Sequence, residues 1–317
     1  MIHGTYRHLL LSDIDVMADI INKSRCELPL HHPVTVEKMK AETFDDPDYD
    51  PEGFWLCEIG NHYVGYGGGV IEKSRVEFGL NDGWVTIEVL PEWRGKGIEQ
   101  ELMKKILDYL SSNTIAVAQR WCMGTEGWRH SLARESGFEP IHYEYLFIWE
   151  SDVPPPVYPP PEGISFEYHM FKETSDEDIA QFVDVFNNSF SEHYNFSPAP
   201  VGKFIRSRNT DNDASRLVFA KKGKKIVGIC LYGEWTTYNK QHDTKIGEIG
   251  ILGVLRPYRR NGLGRALLSE SMNWIANRGN NTIYLEVDAE NRNALHLYTS
   301  MGFKMTEENT IYRKNLG

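Results

Sequence analysis

Ile246-Gly247-Glu248-Ile249-Gly250-Ile251-Leu252-Gly253-Val254, followed closely by Arg259-Arg260-Asn261-Gly262-Leu263-Gly264, is the stretch from which the rest of the chain can be read. The first run is short and apolar, which predicts a buried strand. The second is a glycine-bearing turn. Beyond it Leu263, Ala266, Leu267, Trp274 and Ile275 fall on one face of a helix. Arg278-Gly279-Asn280 ends that helix, with a glycine free to take positive φ. Thr282-Ile283-Tyr284-Leu285-Glu286-Val287 predicts a second strand, and residues 291–303 predict a short helix stopped at Gly302.

A strand that feeds a glycine-rich turn at a helix N-terminus presents unpaired N–H groups and the positive end of the helix dipole. Such a turn can cradle an anion. Gly262 and Gly264 lack the Cβ that would hold a phosphate away, and Arg259 and Arg260 add positive charge. The expectation is a pyrophosphate site. The spacing is neither G-x-x-x-x-G-K-[ST] nor G-x-G-x-x-G, so neither a P-loop nor a dinucleotide fold is expected. Taken alone, the glycines fit a ligand-free helix N-terminus equally well.

Two motifs together go further. Arg259, Gly262 and Gly264 match an Arg/Gln-x-x-Gly-x-Gly/Ala turn after a strand. Downstream, Asn291, Ala294, Leu297, Tyr298, Gly302 and Phe303 match Asn-x-x-Ala-x-x-Leu-Tyr-x-x-x-Gly-Phe. In this order the segment resembles the GCN5-related N-acetyltransferase (GNAT) superfamily, well over about 164–317 and more weakly before it. The resemblance implies acetyl-CoA as cosubstrate. It places Arg259, Arg260, Asn261, Gly262, Leu263 and Gly264 at the phosphates and Asn291 at the pantetheine arm. Leu252 and Val254 would offer backbone groups to the pantetheine amides, as an added strand does.

The 317-residue length suggests two domains of ordinary size, and 41% hydrophobic content suffices for packed cores. The net charge of −11 disfavours nucleic acid and anionic membranes and is compatible with a cationic acceptor. Cys26, Cys57, Cys122 and Cys230 are scattered with no C-x-x-C pair, so no metal site is expected and a reducing compartment is. Met1-Ile2-His3 leads into a charged stretch without a signal-peptide core, and no apolar run is long enough for a membrane span. The expectation is a cytoplasmic protein.

Val153-Pro154-Pro155-Pro156-Val157-Tyr158-Pro159-Pro160-Pro161 marks a boundary: six of its nine residues are proline, which favours extended polyproline II. It reads as a semi-rigid spacer. The half before it repeats the half after it. An offset of 165 residues takes Arg259 to Arg94, Gly262 to Gly97, and Gly302-Phe303 to Gly137-Phe138. Shared spacing of separate motifs points to a duplication of whole domains. The expected organisation is α+β: two tandem GNAT-like domains, each a mixed, mostly antiparallel sheet flanked by helices. They would span 1–150 and 164–317, joined by a proline-rich linker over 151–163. At this offset Gly264 corresponds to Glu99, Tyr298 to Ala133, Glu248 to Gly83 and Asn291 to Glu126. The first copy therefore reads as degenerate and the second as catalytic, while Arg94, Gly95, Lys96 and Gly97 keep phosphate binding by the first copy open.

An amine that attacks a thioester must first be neutral, so acyl transfer needs a base near the amine and an acid near the departing sulfur. Glu248, six residues before Val254, has spacing similar to that of the general base in histone acetyltransferases of the superfamily. Tyr298 matches the family tyrosine that donates a proton to the thiolate. His193 is either an acceptor contact or a structural residue, and Trp235 reads as packing. The expected activity is transfer of an acetyl group to a primary amine of a small molecule by direct attack. The competing expectation is a non-catalytic acyl-CoA sensor.

Overall fold

A computed structural model describes residues 4–28, 31–211 and 214–317. Residues 1–3, which open the charged N-terminal stretch, lie outside the described residues. The chain forms two compact units. Unit 1 is Met1–Tyr143 with Glu308–Gly317, and unit 2 is Glu144–Glu307.

The elements that begin in unit 1 are, in chain order, β1 (Thr5–His8), α1 (Ile14–Arg25), α2 (Val36–Met39), β2 (Phe54–Ile59), β3 (His62–Val70), α3 (Lys73–Glu77), β4 (Asp82–Val89), α4 (Ile98–Ser112), β5 (Val117–Cys122), α5 (Trp128–Glu135) and β6 (Glu139–Glu150). Then follow β7 (Ile164–Met170), α6 (Asp176–Phe190), α7 (Val201–Asn209), β8 (Ala214–Lys222), β9 (Lys225–Glu234), α8 (Thr236–His242), β10 (Ile246–Val254), α9 (Leu263–Asn277), β11 (Thr282–Asp288), α10 (Arg292–Ser300) and β12 (Lys304–Asn315).

In unit 1, β1 to β4 pair antiparallel in order, β4 pairs with β5 in parallel, and β5 pairs antiparallel with β12. In unit 2, β7 to β10 pair antiparallel in order, β10 pairs with β11 in parallel, and β11 pairs antiparallel with β6. Each unit is thus a mixed, mostly antiparallel sheet with helices, as the α+β expectation has it. The compact units do not coincide with the halves 1–150 and 164–317, because the two closing strands are exchanged. Residues 144–150 of β6 complete unit 2, and residues 310–315 of β12 complete unit 1.

Apolar spacing explains the packing in unit 2. Leu263, Leu267, Leu268, Met272 and Ile275 of α9 are buried against Ile249, Ile283, Leu285 and Tyr298. Each large aliphatic side chain contributes about 1.5–3 kcal/mol by leaving water. On the opposite face of the sheet, Ile179, Phe182, Val183 and Val185 of α6 bury Leu217, Phe219 and Ile229. Ser175 caps α6, its hydroxyl accepting from the Asp178 amide at 3.1 Å. The proline run is anchored on α9: Ser269 donates to the Pro156 carbonyl at 2.8 Å and accepts from the Tyr158 amide at 2.9 Å. Proline cannot join a ladder, so this extended strap is held by a side chain instead.

Candidate active site

The parallel pairing of β10 with β11 covers Ile246–Glu248 and ends at Glu248 opposite Tyr284. Both strands continue, to Val254 and Asp288, so they diverge beyond Glu248 and open a cleft in the sheet. On its other edge β10 carries a bulge. Ile249 faces Tyr232 and Ile251 faces Leu231, leaving Gly250 without an opposite residue. The sequence reading passed over Gly250, although a glycine inside a strand is a signal for such an irregularity. β4 pairs with β3 without a shift from Trp84 to Val89.

The bulge corrects the internal alignment. Gly250 is an extra residue in β10, so before it the correspondence moves by one. Gly247 and Gly83 are the structural equivalents: a Cβ on either would collide with the α-helix beneath, at Ile275 and Leu110 respectively. Glu248 therefore stands where unit 1 has Trp84, not Gly83.

The half-buried Glu248 carboxylate is held by Trp235, whose Nε1 donates to Oε2 at 2.9 Å. Trp235 is thus more than packing. Its ring meets Tyr284 at 4.8 Å. The Tyr284 phenol is pushed well up, by burial first, then by the charges of Glu248 and Glu286 and a hydrogen bond to Glu248. Tyr232 and Glu234 serve the scaffold. Tyr232 is buried in the core under α9, and Glu234 accepts from Arg278 and from Asn280 at 2.8 Å.

Tyr298 projects from α10 into the core shared with Leu285 and Phe303. Burial, reinforced by Cys230, raises its phenol above the ordinary range, so it keeps its proton at neutral pH. Asn291 caps α10, its Oδ1 accepting from the Ala294 amide at 3.1 Å. Its Nδ2 lies 3.5 Å from His193 Nε2. The His193 ring packs on Phe190 at 4.8 Å.

The turn after β10 is built by Arg259. Its Nε donates to the Val254 carbonyl at 3.0 Å, one Nη to the Ser189 carbonyl at 2.7 Å and the other to Glu192 at 2.8 Å. The guanidinium ties the end of β10 to the end of α6 and is spent on the protein itself. Arg260 takes φ +63° and Gly262 φ +88°, so successive amides turn toward one side. Arg260, Asn261 and Gly262 are exposed, and no side chain caps α9 from Gly262. Asn261 Oδ1 accepts from the Leu263 amide at 3.2 Å. A Cβ on Gly264 would meet nothing nearer than 3.6 Å, so its surroundings leave room for a ligand.

Unit 1 tests this cradle. Arg94 repeats the clamp, with Nε to the Val89 carbonyl at 3.1 Å and one Nη to the Ser24 carbonyl at 2.8 Å. Its other Nη reaches Glu27 at 2.7 Å. At Gly264's place, Glu99 turns its Oε1 onto the Gly95 amide, the counterpart of the Arg260 amide, at 2.8 Å. A carboxylate fits this turn as an anion would, so the geometry suits a phosphate oxygen. Among the described residues no group of three or more His, Cys, Asp or Glu is arranged to hold a metal, and no helix is long and apolar enough to cross a membrane.

Residues 18–138 and 179–303 match the acetyltransferase (GNAT) family, and the chain belongs to that family, which makes it an acyltransferase. It is 24% identical over 263 residues to a mycothiol acetyltransferase of Catenulispora acidiphila, covering 81% of this chain and 79% of the relative. A mycothiol acetyltransferase of Stackebrandtia nassauensis is 31% identical over 140 residues, covering 44% of this chain and 45% of that one. Among solved structures, a tandem GNAT protein from the clavulanic acid biosynthesis pathway superposes with a TM-score of 0.75 at 14% identity, covering 99% of each chain. A GCN5-related N-acetyltransferase from Sphaerobacter thermophilus superposes with 0.69 at 20% identity, covering 100% of this chain and 97% of the other.

Proposed function

We propose that this chain, a member of the acetyltransferase (GNAT) family, transfers an acetyl group from acetyl-CoA to a primary amine of a small-molecule acceptor, with the reacting groups in unit 2. The observation that carries the reading is the position of Glu248. Its carboxylate, fixed by Trp235, stands at the last paired residue before β10 and β11 part. Unit 1 has Trp84 at that place and Ala133 at the place of Tyr298, so neither group is duplicated there.

In this reading the Arg260–Gly264 turn holds the phosphates, and the diverging edge of β10, with Leu252 and Val254, holds the pantetheine. Asn291 contacts the same arm. Glu248 removes a proton from the acceptor ammonium. The neutral amine then attacks the thioester carbonyl, a C–N bond forms and the C–S bond breaks. Tyr298 gives its proton to the leaving sulfur, the nitrogen sheds its second proton to solvent as the amide forms, and the phenolate regains one from solvent. The products are an amide and free coenzyme A. The name carried by the relatives supports a small molecule of the mycothiol kind as acceptor.

The test is release of free thiol from acetyl-CoA with a panel of amines. Tyr298→Phe removes one hydroxyl and keeps the ring. Its single-turnover rate should fall by roughly 10²-fold, the scale of general acid catalysis. Tight coenzyme A binding without turnover on any amine would support a sensor instead. An unchanged single-turnover rate would return Tyr298 to a packing role.

A further inference from the structure

The two units contain the same cleft in two states of filling. In unit 1 the Glu88 carboxylate enters it and is met from three sides. Ser24 Oγ donates to Oε2 at 2.7 Å, Arg129 to Oε2 at 2.7 Å and Arg25 to Oε1 at 2.6 Å. The offset of 165 residues holds here in space as well as in sequence, because Arg94 grips the Ser24 carbonyl just as Arg259 grips that of Ser189. The unit 2 counterparts of Glu88, Arg25 and Arg129 are Gly253, Phe190 and Ala294. Of the four polar groups, unit 2 keeps only the serine.

Ser189 is 4% exposed, and its hydroxyl has no hydrogen-bond partner among the described residues. The side chain lies over Gly253, where a Cβ would come within 3.1 Å of both the Phe190 ring and Ser189 Cβ. A buried hydroxyl without a partner is costly and rare. Its counterpart in unit 1 donates to a carboxylate oxygen, which marks the place of the missing acceptor.

We propose that Ser189 is a cofactor-binding residue of unit 2, donating a hydrogen bond to an acceptor oxygen of the acyl-CoA where the arm leaves the Arg260–Gly264 cradle. Glu88 and Glu99 of unit 1 stand where the cofactor's own oxygens would be. Unit 1 is therefore filled from within and holds no acyl-CoA, and the chain takes up one. The proposal rests on the reading of unit 2 as the acyl-CoA site.

Calorimetric titration with coenzyme A, using the full chain, tests it. Wild type should bind one equivalent. Ser189→Ala should weaken binding about five- to tenfold, the scale of one hydrogen bond. It should not lower the melting temperature, since the hydroxyl has no partner within the protein. Ser24→Ala should lower the melting temperature, because Glu88 loses a donor, and leave coenzyme A affinity unchanged. If Ser189→Ala proves unstable, Ser189→Cys substitutes a weak donor of similar size and should show the same loss of affinity. Wild-type affinity in both Ser189 variants, or two equivalents bound to wild type, would overturn the proposal. Coenzyme A binding to wild type without turnover on any amine would remove the catalytic reading and leave the role of Ser189 intact. No binding to wild type would remove the acyl-CoA site and Ser189 with it.

Discussion

Trp235 Nε1 donates to Glu248 Oε2 at 2.9 Å, joining the end of β9 to the one half-buried carboxylate on β10. A base that must receive a proton at a fixed point gains from being held there. Trp235→Phe keeps an aromatic ring against Tyr284 and removes the donor. We expect kcat to fall by about tenfold, within the range for a hydrogen bond to a charged group, with coenzyme A affinity unchanged. Steady-state kinetics beside a binding isotherm separates the two. Equal losses in both would make Trp235 a general support of the cleft.

Arg259 makes three hydrogen bonds inside unit 2, and Arg94 repeats the pattern in unit 1. Each substitution to alanine frees a strand-end carbonyl and a helix-end carbonyl. The expected cost is about 1–3 kcal/mol of stability for either. Only Arg259→Ala should also weaken coenzyme A binding, since only that turn lies beside the proposed cofactor. Thermal unfolding and calorimetry check both. A loss of affinity in Arg259→Ala with full stability would mean that the guanidinium touches phosphate directly.

The strand, turn and helix over 246–277 were legible because apolar spacing and glycine punctuation act locally. Other features depended on partners distant in sequence. The motif arginine reads as a phosphate ligand, yet its guanidinium is bound to Val254, Ser189 and Glu192. Gly250 shifts the alignment by one residue, which appears only when the pairing of β10 with β9 is seen. The exchange of β6 and β12 leaves no mark in composition, because either strand pattern suits either sheet. Nothing local to Glu88 in the sequence points to Arg25 and Arg129, which only the fold brings to it.

Gly264→Glu copies the natural state of unit 1. A Cβ fits at Gly264 without collision, so the fold should survive. The new carboxylate should accept from the Arg260 amide, as Glu99 does from Gly95. Coenzyme A affinity should then drop at least about tenfold, or about 1.4 kcal/mol, through occupation of the cradle and repulsion of phosphate. Gly264→Gln adds the bulk without the charge and should cost less. Unchanged affinity in the glutamate variant would remove the proposed phosphate site.

Glu88 supplies the pH dependence of unit 1. Burial alone would raise its pKa, but the charges of Arg25 and Arg129, with hydrogen bonds from Ser24 and Arg129, outweigh burial and lower it to about 2. A carboxylate held below its ordinary value of 4.5 contributes stability that is complete above that value and lost as pH falls through about 2. Glu88→Gln removes the charge at every pH and leaves the buried Arg129 and the half-buried Arg25 short of a partner. Near neutral pH it should cost about 3–5 kcal/mol, the scale of a broken buried ion pair. The gap between wild type and variant should narrow steadily as the solution is acidified below the ordinary carboxylate range. Hydrogen exchange of the β4 amides follows unit 1 specifically, and amine acetylation follows unit 2, which should keep its activity wherever the variant stays folded. A variant as stable as wild type at neutral pH, or a gap that stays constant into strong acid, would show that the Glu88 network is not what holds the unit 1 cleft closed.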